Sequence, residues 1–214
     1  MVASQVHLVR HGEVFNPDGV LYGRLPGFRL SGLGVKMADA AATDLVEQGR
    51  PVARIIASPL QRARESAEPI AAAFNLPVMI DERIIEPTNL FESKRLRGPG
   101  GALRDVRNWP ALVNPFRPSW GEPFRLIAER MLAAIDDAWN AVDDGDVVLV
   151  SHQLPIWMVH RALAGERLAH DLRKRRCALS SITTLSRLGE SFVEVGYANP
   201  AASLQATATD VGAV

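Results

Sequence analysis
The chain has a single cysteine, Cys177, so no disulfide can form within it, and a reducing, cytoplasmic setting is expected. It has no excess charge of either sign: 24 basic residues are matched by 24 acidic ones. Neither nucleic acid nor an anionic membrane is therefore expected as a partner. No apolar run reaches the length of a bilayer span, and no basic stretch followed by an apolar core marks a secretory leader. Several catalytic signatures are also missing. There is no Gly-x4-Gly-Lys-Ser/Thr phosphate loop and no Gly-x-Ser-x-Gly elbow. Six residues after Cys177 stands Thr183, where a cysteine phosphatase needs arginine. His7 and His11 on one strand stand about 13 Å apart, too far to share a metal ion. His152 and His160 are no better placed, and His160 and His170 read as ordinary surface or half-buried histidines. No metal and no cofactor is called for.

The 214 residues suffice for one well-cored α/β domain or two small ones, and 47% hydrophobic with 22% charged residues is ordinary for a globular chain. The apolar run Val6–Val9 ends in Arg10, His11, Gly12 and Glu13. This reads as a buried strand delivering a cation and an imidazole to its carboxyl end, with Gly12 freeing the backbone for a sharp turn. A broken loop follows to Gly27. Ser31 then fits the N-cap of a helix through Val35, Ala38, Ala42, Leu45 and Val46, which stops near Gly49. Arg54–Ser58 reads as a second strand. Ser58, Pro59 and Gln61 read as N-cap, first helical residue and capping-box partner of a helix with the stripe Leu60, Ala63, Ala67, Ile70, Phe74. Arg62, off that stripe in the first turn, opposes the helix dipole and suits an anion better than it suits the helix.

Pro77–Ile80 reads as a third strand, with Arg83–Glu86 extending or following it. Residues 87–120 are irregular, with at most a short helix near Asp105–Val113, and read as a lid or insertion. Their Phe91, Trp109 and Phe116, with Trp120, either anchor the insertion or meet an apolar part of a ligand. Phe124, Ile127, Met131, Ala134, Ile135 and Ala138 form the longest helical stripe. Val147–Val150 is an uninterrupted apolar run, the pattern of a strand buried on both faces. It ends in Ser151, His152 and Gln153, before a helix from about Pro155 to Ala164. Leu179–Leu185 and Ser191–Tyr197 read as a hairpin around Gly189. Residues 1–199 are expected to form a single domain and 200–214 a flexible tail.

Arg10 and His11, Arg62, and His152 thus come to strand ends on one edge of a sheet, where ligands of open α/β sheets sit. Cations gather against their mutual repulsion only around an anion. A tetrahedral phosphoryl group fits, because guanidinium forks match its oxygens. With other routes excluded, histidine is the nucleophile that remains, its second ring nitrogen held by a backbone carbonyl. The leaving alkoxide needs a carboxylic acid. Glu86 is the first candidate, with Asp81, Glu82, Glu92 and Glu122 as rivals.

Arg10-His11-Gly12-Glu13, Ser58-Pro59-Leu60-Gln61-Arg62-Ala63, Glu86 and Ser151-His152, in this order and spacing, resemble the histidine phosphatase superfamily, the phosphoglycerate-mutase-like proteins. The resemblance covers roughly residues 5–165. It implies an α/β three-layer sandwich: a mixed, mostly parallel sheet with helices on both faces. It implies His11 as the phosphohistidine nucleophile, Glu86 as proton donor, and Arg10, Arg62 and His152 around the phosphate. Asn16 matches an asparagine that touches the phosphate, and Tyr22-Gly23 falls where mutases contact substrate. Three positions depart from the pattern. Val14 stands where Thr or Ser is usual. Gln153 replaces glycine after His152 and narrows or re-aims the pocket. Phe91-Glu92-Ser93 replaces the usual Trp-Glu-Gly. Glu13 fits a support better than a catalyst.

The function expected is a metal-independent phosphomonoesterase acting on a small phosphorylated substrate through phosphohistidine. The alternatives are phosphoglycerate-mutase-type phosphoryl transfer and a non-catalytic phosphate-ligand binding protein. The chain is shorter than typical cofactor-dependent mutases, which favours hydrolysis. Arg173-Lys174-Arg175-Arg176 reads as a solvated helix face rather than a nucleic-acid site. The natural substrate and the oligomeric state, a homodimer included, are not legible.

Overall fold
A computed structural model describes residues 3–95, 101–102, 106–108, 120–171 and 174–211. Six strands form one sheet in the order β3-β2-β4-β1-β5-β6. They are β1 (Val6–Arg10), β2 (Val52–Ala57), β3 (Val78–Ile80), β4 (Asp146–Ser151), β5 (Ile182–Leu188) and β6 (Ser191–Ala198). The first four run parallel, and the β5–β6 hairpin adds antiparallel to β1. Four helices flank the sheet: α1 (Gly32–Glu47), α2 (Gln61–Phe74), α3 (Phe124–Asn140) and α4 (Gln153–Leu163).

Alternation along the strands sorts the core into two sides. Leu8, Val147, Leu149 and Leu185 pack with α3 and α4, whereas Val9, Val148, Val150 and Ile182 pack with α1 and α2. β1 and β4 are buried at every position, which is why their sequences are continuous apolar runs. The chain leaves β1 and β2 toward one layer of helices and β4 toward the other. The diverging connections open a crevice at the carboxyl ends of β1, β2 and β4.

The three-layer α/β sandwich is therefore as expected, and most element bounds lie within a few residues of expectation. Ser31 caps α1, its hydroxyl accepting from Gly34 N at 2.9 Å. The inward stripe of α1 runs through Met37, Ala38, Ala41, Ala42 and Leu45, and Val35 and Val46 are exposed. The expected capping box on α2 does not form: Leu60 is its N-cap, without a side-chain bond, and Gln61 reaches Glu65 at 2.7 Å instead. Arg83–Glu86 adds no strand. Glu82–Ile84 is a single 3-10 turn capped by Asp81. The hairpin's first strand starts at Ile182, because Ser180 turns the chain at positive φ.

In the 87–120 region, Val106–Asn108 is a 3-10 turn, and Phe91 packs against Leu21, Ala102 and Trp120, anchoring this part to the body. Trp109 and Phe116 lie outside the described residues. The segment expected as a loose tail is built into the fold over its described part: Ala201 is fully buried beside Met37 and Leu179, and Ala202–Thr207 is a 3-10 helix. In the basic run, Arg173 lies outside the described residues. Lys174 and Arg176 are exposed, while Arg175 turns inward among buried groups.

Gly12 serves the fold by close approach. Its φ is not positive, but a Cβ there would lie 2.4 Å from the carbonyl oxygen of Gly34. The reciprocal contact is tighter still, because a Cβ on Gly34 would lie 2.0 Å from the Glu13 carbonyl oxygen. This crossing presses the start of α1 onto the chain just after His11. Both colliding atoms are backbone, so no rotamer relieves the clash. Gly34→Ala is expected to destabilise the protein by about 1–3 kcal/mol or more, read as a lower urea midpoint at unchanged slope.

Candidate functional site
His11 follows the last residue of β1 and is buried at the crevice. Its Nδ1 lies 2.7 Å from the Gly12 carbonyl oxygen. A carbonyl only accepts, so Nδ1 carries the hydrogen and Nε2 keeps a lone pair. Burial, with Arg62 and Arg10 beside it, holds the imidazole's pKa well below the ordinary histidine value, so the ring is neutral. Arg62 Nε donates to Nε2 at 3.3 Å, and Arg62 Nη2 donates to the Gly23 carbonyl at 2.8 Å. Arg62 is almost fully buried, and its guanidinium lies 4.7 Å over the Tyr22 ring. Tyr22 also stands edge-on to His11, at 6.5 Å between centroids, and burial pushes its phenol up to about 12.

His152 comes from the end of β4. Its ring centroid is 5.2 Å from that of His11, close enough for both imidazoles to contact one tetrahedral oxyanion. Its Nε2 meets Ser58 Oγ at 2.8 Å. Ser58 Oγ also accepts from Leu60 N at 3.5 Å, and α2 begins only after Leu60, so Ser58 stands before the cap position. Burial, with Arg62 and His11 nearby, keeps His152 neutral as well. Glu86 Oε2 lies 3.7 Å from His152 Nδ1. Burial raises the Glu86 carboxyl to about 7 against the opposing pull of Arg62, Arg175 and Arg10. The rival carboxylates are exposed or engaged by other partners, although Glu92 lies against Gly23 and Glu122 lines the cavity beside Glu86. Asp81 is held by Arg83, Glu82 is exposed, Glu92 accepts from Arg24 N, and Glu122 pairs with Arg130 and Arg24. Arg24 Nε also donates to the Glu86 carbonyl at 2.5 Å, fixing the backbone that carries the acid.

Arg10 is fully buried beneath segments from the far end of the chain. Its Nη1 donates to the Cys177 carbonyl at 2.7 Å and its Nη2 to Asp210 Oδ1 at 2.7 Å. Burial works against its charge, but Asp210 more than offsets this. Glu13 is a clamp. One carboxylate oxygen accepts from Ser31 Oγ, and the other accepts from Thr209 N at 2.6 Å. Cys177 contributes only its carbonyl, since burial pushes its thiol up to about 11. Two buried nitrogens of the cluster, Arg10 Nε and His152 Nδ1, have no hydrogen-bond partner among the described residues. Buried polar nitrogens left open beside two guanidiniums suit an incoming anion.

Of the residues expected here, Arg10, His11, Tyr22, Gly23, Arg62, Glu86 and His152 converge. Gln153 stands at the rim, its amide donating to the Cys177 carbonyl at 3.3 Å. Asn16 departs from expectation: both ends of its amide are engaged by the Val20 backbone, at 2.8 and 3.2 Å. Its side chain is spent on closing its own loop. Ser58, Arg175 and Asp210 were not expected here. An exposed-looking tail and a basic run carry no local sign of inward side chains. His7 is separate from the site: it bonds Thr184 and Asp146 near the amino end of β4, where Arg50 also grips Asp146. Among the described residues no group of three His, Cys, Asp or Glu side chains could hold a metal ion. No helix among them is long and apolar enough to cross a membrane.

Comparison with known proteins gives the family and the fold. Residues 6–200 match the family model of the histidine phosphatase superfamily, branch 1. An uncharacterized protein of Mycobacterium tuberculosis is 54% identical over 200 residues, covering 93% of this chain and 98% of that one. Phosphoserine phosphatase 1 of Hydrogenobacter thermophilus is 29% identical, covering 87% of this chain and 95% of its own. The solved structure of phosphoserine phosphatase from Entamoeba histolytica superposes with a TM-score of 0.70 at 20% identity, over 92% of this chain and 97% of that one.

Inorganic phosphate added at saturating concentration is expected to raise the melting temperature. A charge-assisted hydrogen bond contributes about 1.5–3 kcal/mol, so Arg62→Ala is expected to weaken phosphate binding by about tenfold or more. Calorimetric titration checks both. An unshifted melting temperature in the wild type would count against an anion site.

Proposed function
Because the chain belongs to the histidine phosphatase superfamily, we propose that it is a metal-independent phosphomonoesterase with His11 as nucleophile. The observation that carries this is the state of His11: neutral, its Nδ1–H held by Gly12, its Nε2 beside Arg62 Nε at 3.3 Å, and its ring 5.2 Å from that of His152. In the first step Nε2 attacks phosphorus, the P–N bond forms and the P–O ester bond breaks. The leaving oxygen takes the proton of Glu86. In the second step water attacks the phosphohistidine, Glu86 accepts its proton, and inorganic phosphate leaves. Arg10, Arg62 and His152 offset the charge on the transferring group, which in a buried site is worth far more than in water. When Ser58 donates to His152 Nε2, the hydrogen on Nδ1 is turned toward Glu86 and the phosphoryl oxygens. The supporting groups are two guanidinium cations and a neutral imidazole donor fixed in place, a donor set suited to a reaction without a metal ion. The relatives' printed names include both phosphatases and a probable phosphoglycerate mutase, so release of free phosphate decides between hydrolysis and transfer. A cytosolic location belongs to the same proposal, in keeping with the free Cys177.

Wild-type protein is expected to hydrolyse p-nitrophenyl phosphate in the presence of a chelator. His11→Ala is expected to lose at least about 1,000-fold in kcat, together with acid-labile phosphate labelling. Retention of wild-type turnover by this variant would refute the nucleophile. Phosphoglycerates that isomerise without release of phosphate would turn the assignment to a mutase.

Glu86 must be protonated to act first, so kcat on alkyl phosphates is expected to fall as pH rises through about 7. Glu86→Gln removes that limb and slows alkyl esters by about 100-fold or more, with far less loss on p-nitrophenyl phosphate. An equal loss on both esters would assign the proton to another group.

A further inference from the structure
A third guanidinium enters the site from the segment between α4 and β5. Arg175 Nε donates to His170 Nε2 at 2.9 Å, and its Nη1 donates to Gln153 Oε1 at 3.3 Å. His170 is a fixed acceptor. Its Nδ1 donates to the Leu168 carbonyl at 2.7 Å, which leaves the lone pair on Nε2. Burial holds His170 down to about 4, so it stays neutral and does not repel the guanidinium. Its ring lies against Phe124 and Trp157, at 5.4 and 6.0 Å. Gln153 is fixed from its other end, because Nε2 donates to the Cys177 carbonyl, the group that also takes Arg10 Nη1.

The third nitrogen of Arg175, Nη2, is buried and has no partner among the described residues. Burial lowers Arg175 to about 10, which still leaves it charged at neutral pH. It is thus a cation held by two uncharged acceptors and open at one nitrogen. A guanidinium with a buried, unpartnered nitrogen is costly to hold unless an anion completes it. Asp210, the carboxylate that the chain itself brings nearby, hydrogen-bonds Arg10.

Arg175 acts electrostatically on Glu86, second only to Arg62 among the cations there. In this reading Glu86 meets the leaving oxygen, and Arg175, joined through Gln153 and the Cys177 carbonyl to the Arg10 side of the crevice, is a cation that an anion carried on the alcohol can reach. Resting on the phosphomonoesterase reading, we propose that Arg175, positioned by His170 and Gln153, binds a second anionic group carried on the substrate's alcohol. The substrate class is then a phosphomonoester bearing a carboxylate or a further phosphate. Gln153, standing where related chains have glycine, supplies the carbonyl oxygen that aims the guanidinium.

The test compares ω-carboxyalkyl phosphates of two to four carbons with alkyl phosphates of the same length. Wild type is expected to prefer the carboxylated ester in kcat/KM by about tenfold or more at one length at least. In Arg175→Gln the preference collapses toward unity through KM. Arg175→Lys, which keeps the charge, retains part of it. Wild type active on p-nitrophenyl phosphate but without the preference overturns the proposal. So does an Arg175→Gln variant that loses equally on both esters, the mark of a purely structural arginine. Wild type inactive on every ester would instead overturn the phosphomonoesterase reading.

Discussion

Two guanidiniums with almost no access to water, Arg10 and Arg62, flank a buried imidazole at the open end of a parallel sheet. Keeping that much positive charge out of water dictates much of what surrounds it. Arg62 is met by the Gly23 carbonyl and the face of Tyr22, and Arg10 by the Cys177 carbonyl and Asp210. Burial, together with the same charge, keeps His11 and His152 neutral, since a proton on either ring would be both desolvated and repelled. A neutral imidazole is a nucleophile and an imidazolium is not, so the electrostatics that are awkward for folding prepare the ring for attack on phosphorus.

The fold supplies the rigidity this arrangement needs. β1 and β4 are neighbours in register, with Arg10 opposite Ser151, so the two imidazoles emerge side by side. α2 closes the third side: Ser66 Oγ accepts from Gly12 N at 3.1 Å while Arg62 points at His11. Ser151 Oγ donates to the Ile84 carbonyl at 2.7 Å and thereby ties β4 to the turn that precedes Glu86. The acid is therefore placed by a hydrogen bond across the site rather than by a strand of its own. Its proton is retained near neutral pH because burial outweighs the arginines around it.

Several departures of the structure from the sequence reading have their cause in a partner distant along the chain. Ser58 has every local mark of a helix cap, yet its hydroxyl goes to His152, 94 residues away. The Ala-, Thr- and Ser-rich segment after Pro200 has no periodicity, yet Ala201 is buried and Asp210 reaches Arg10 across 200 residues. Arg175 lies in a run of four basic residues, and nothing in that run marks it as a residue that turns inward. Asn16 shows the reverse, a residue in the expected position whose amide is taken up by its own loop.

The sequence by itself determined the strands, the helices and the sheet edge at which the chemistry gathers. Those follow from alternation, helical period and the abrupt end of an apolar run in charged residues, all of which act over a few positions. His11, Arg10, Arg62 and His152 were legible for this reason, since each stands where a periodic segment stops. The tertiary structure alone decided which carboxylate approaches an imidazole, which carbonyls receive the guanidiniums, and which nitrogens stay open. Hydrogen bonds and burial between remote segments settle those choices, and neither depends on spacing along the chain.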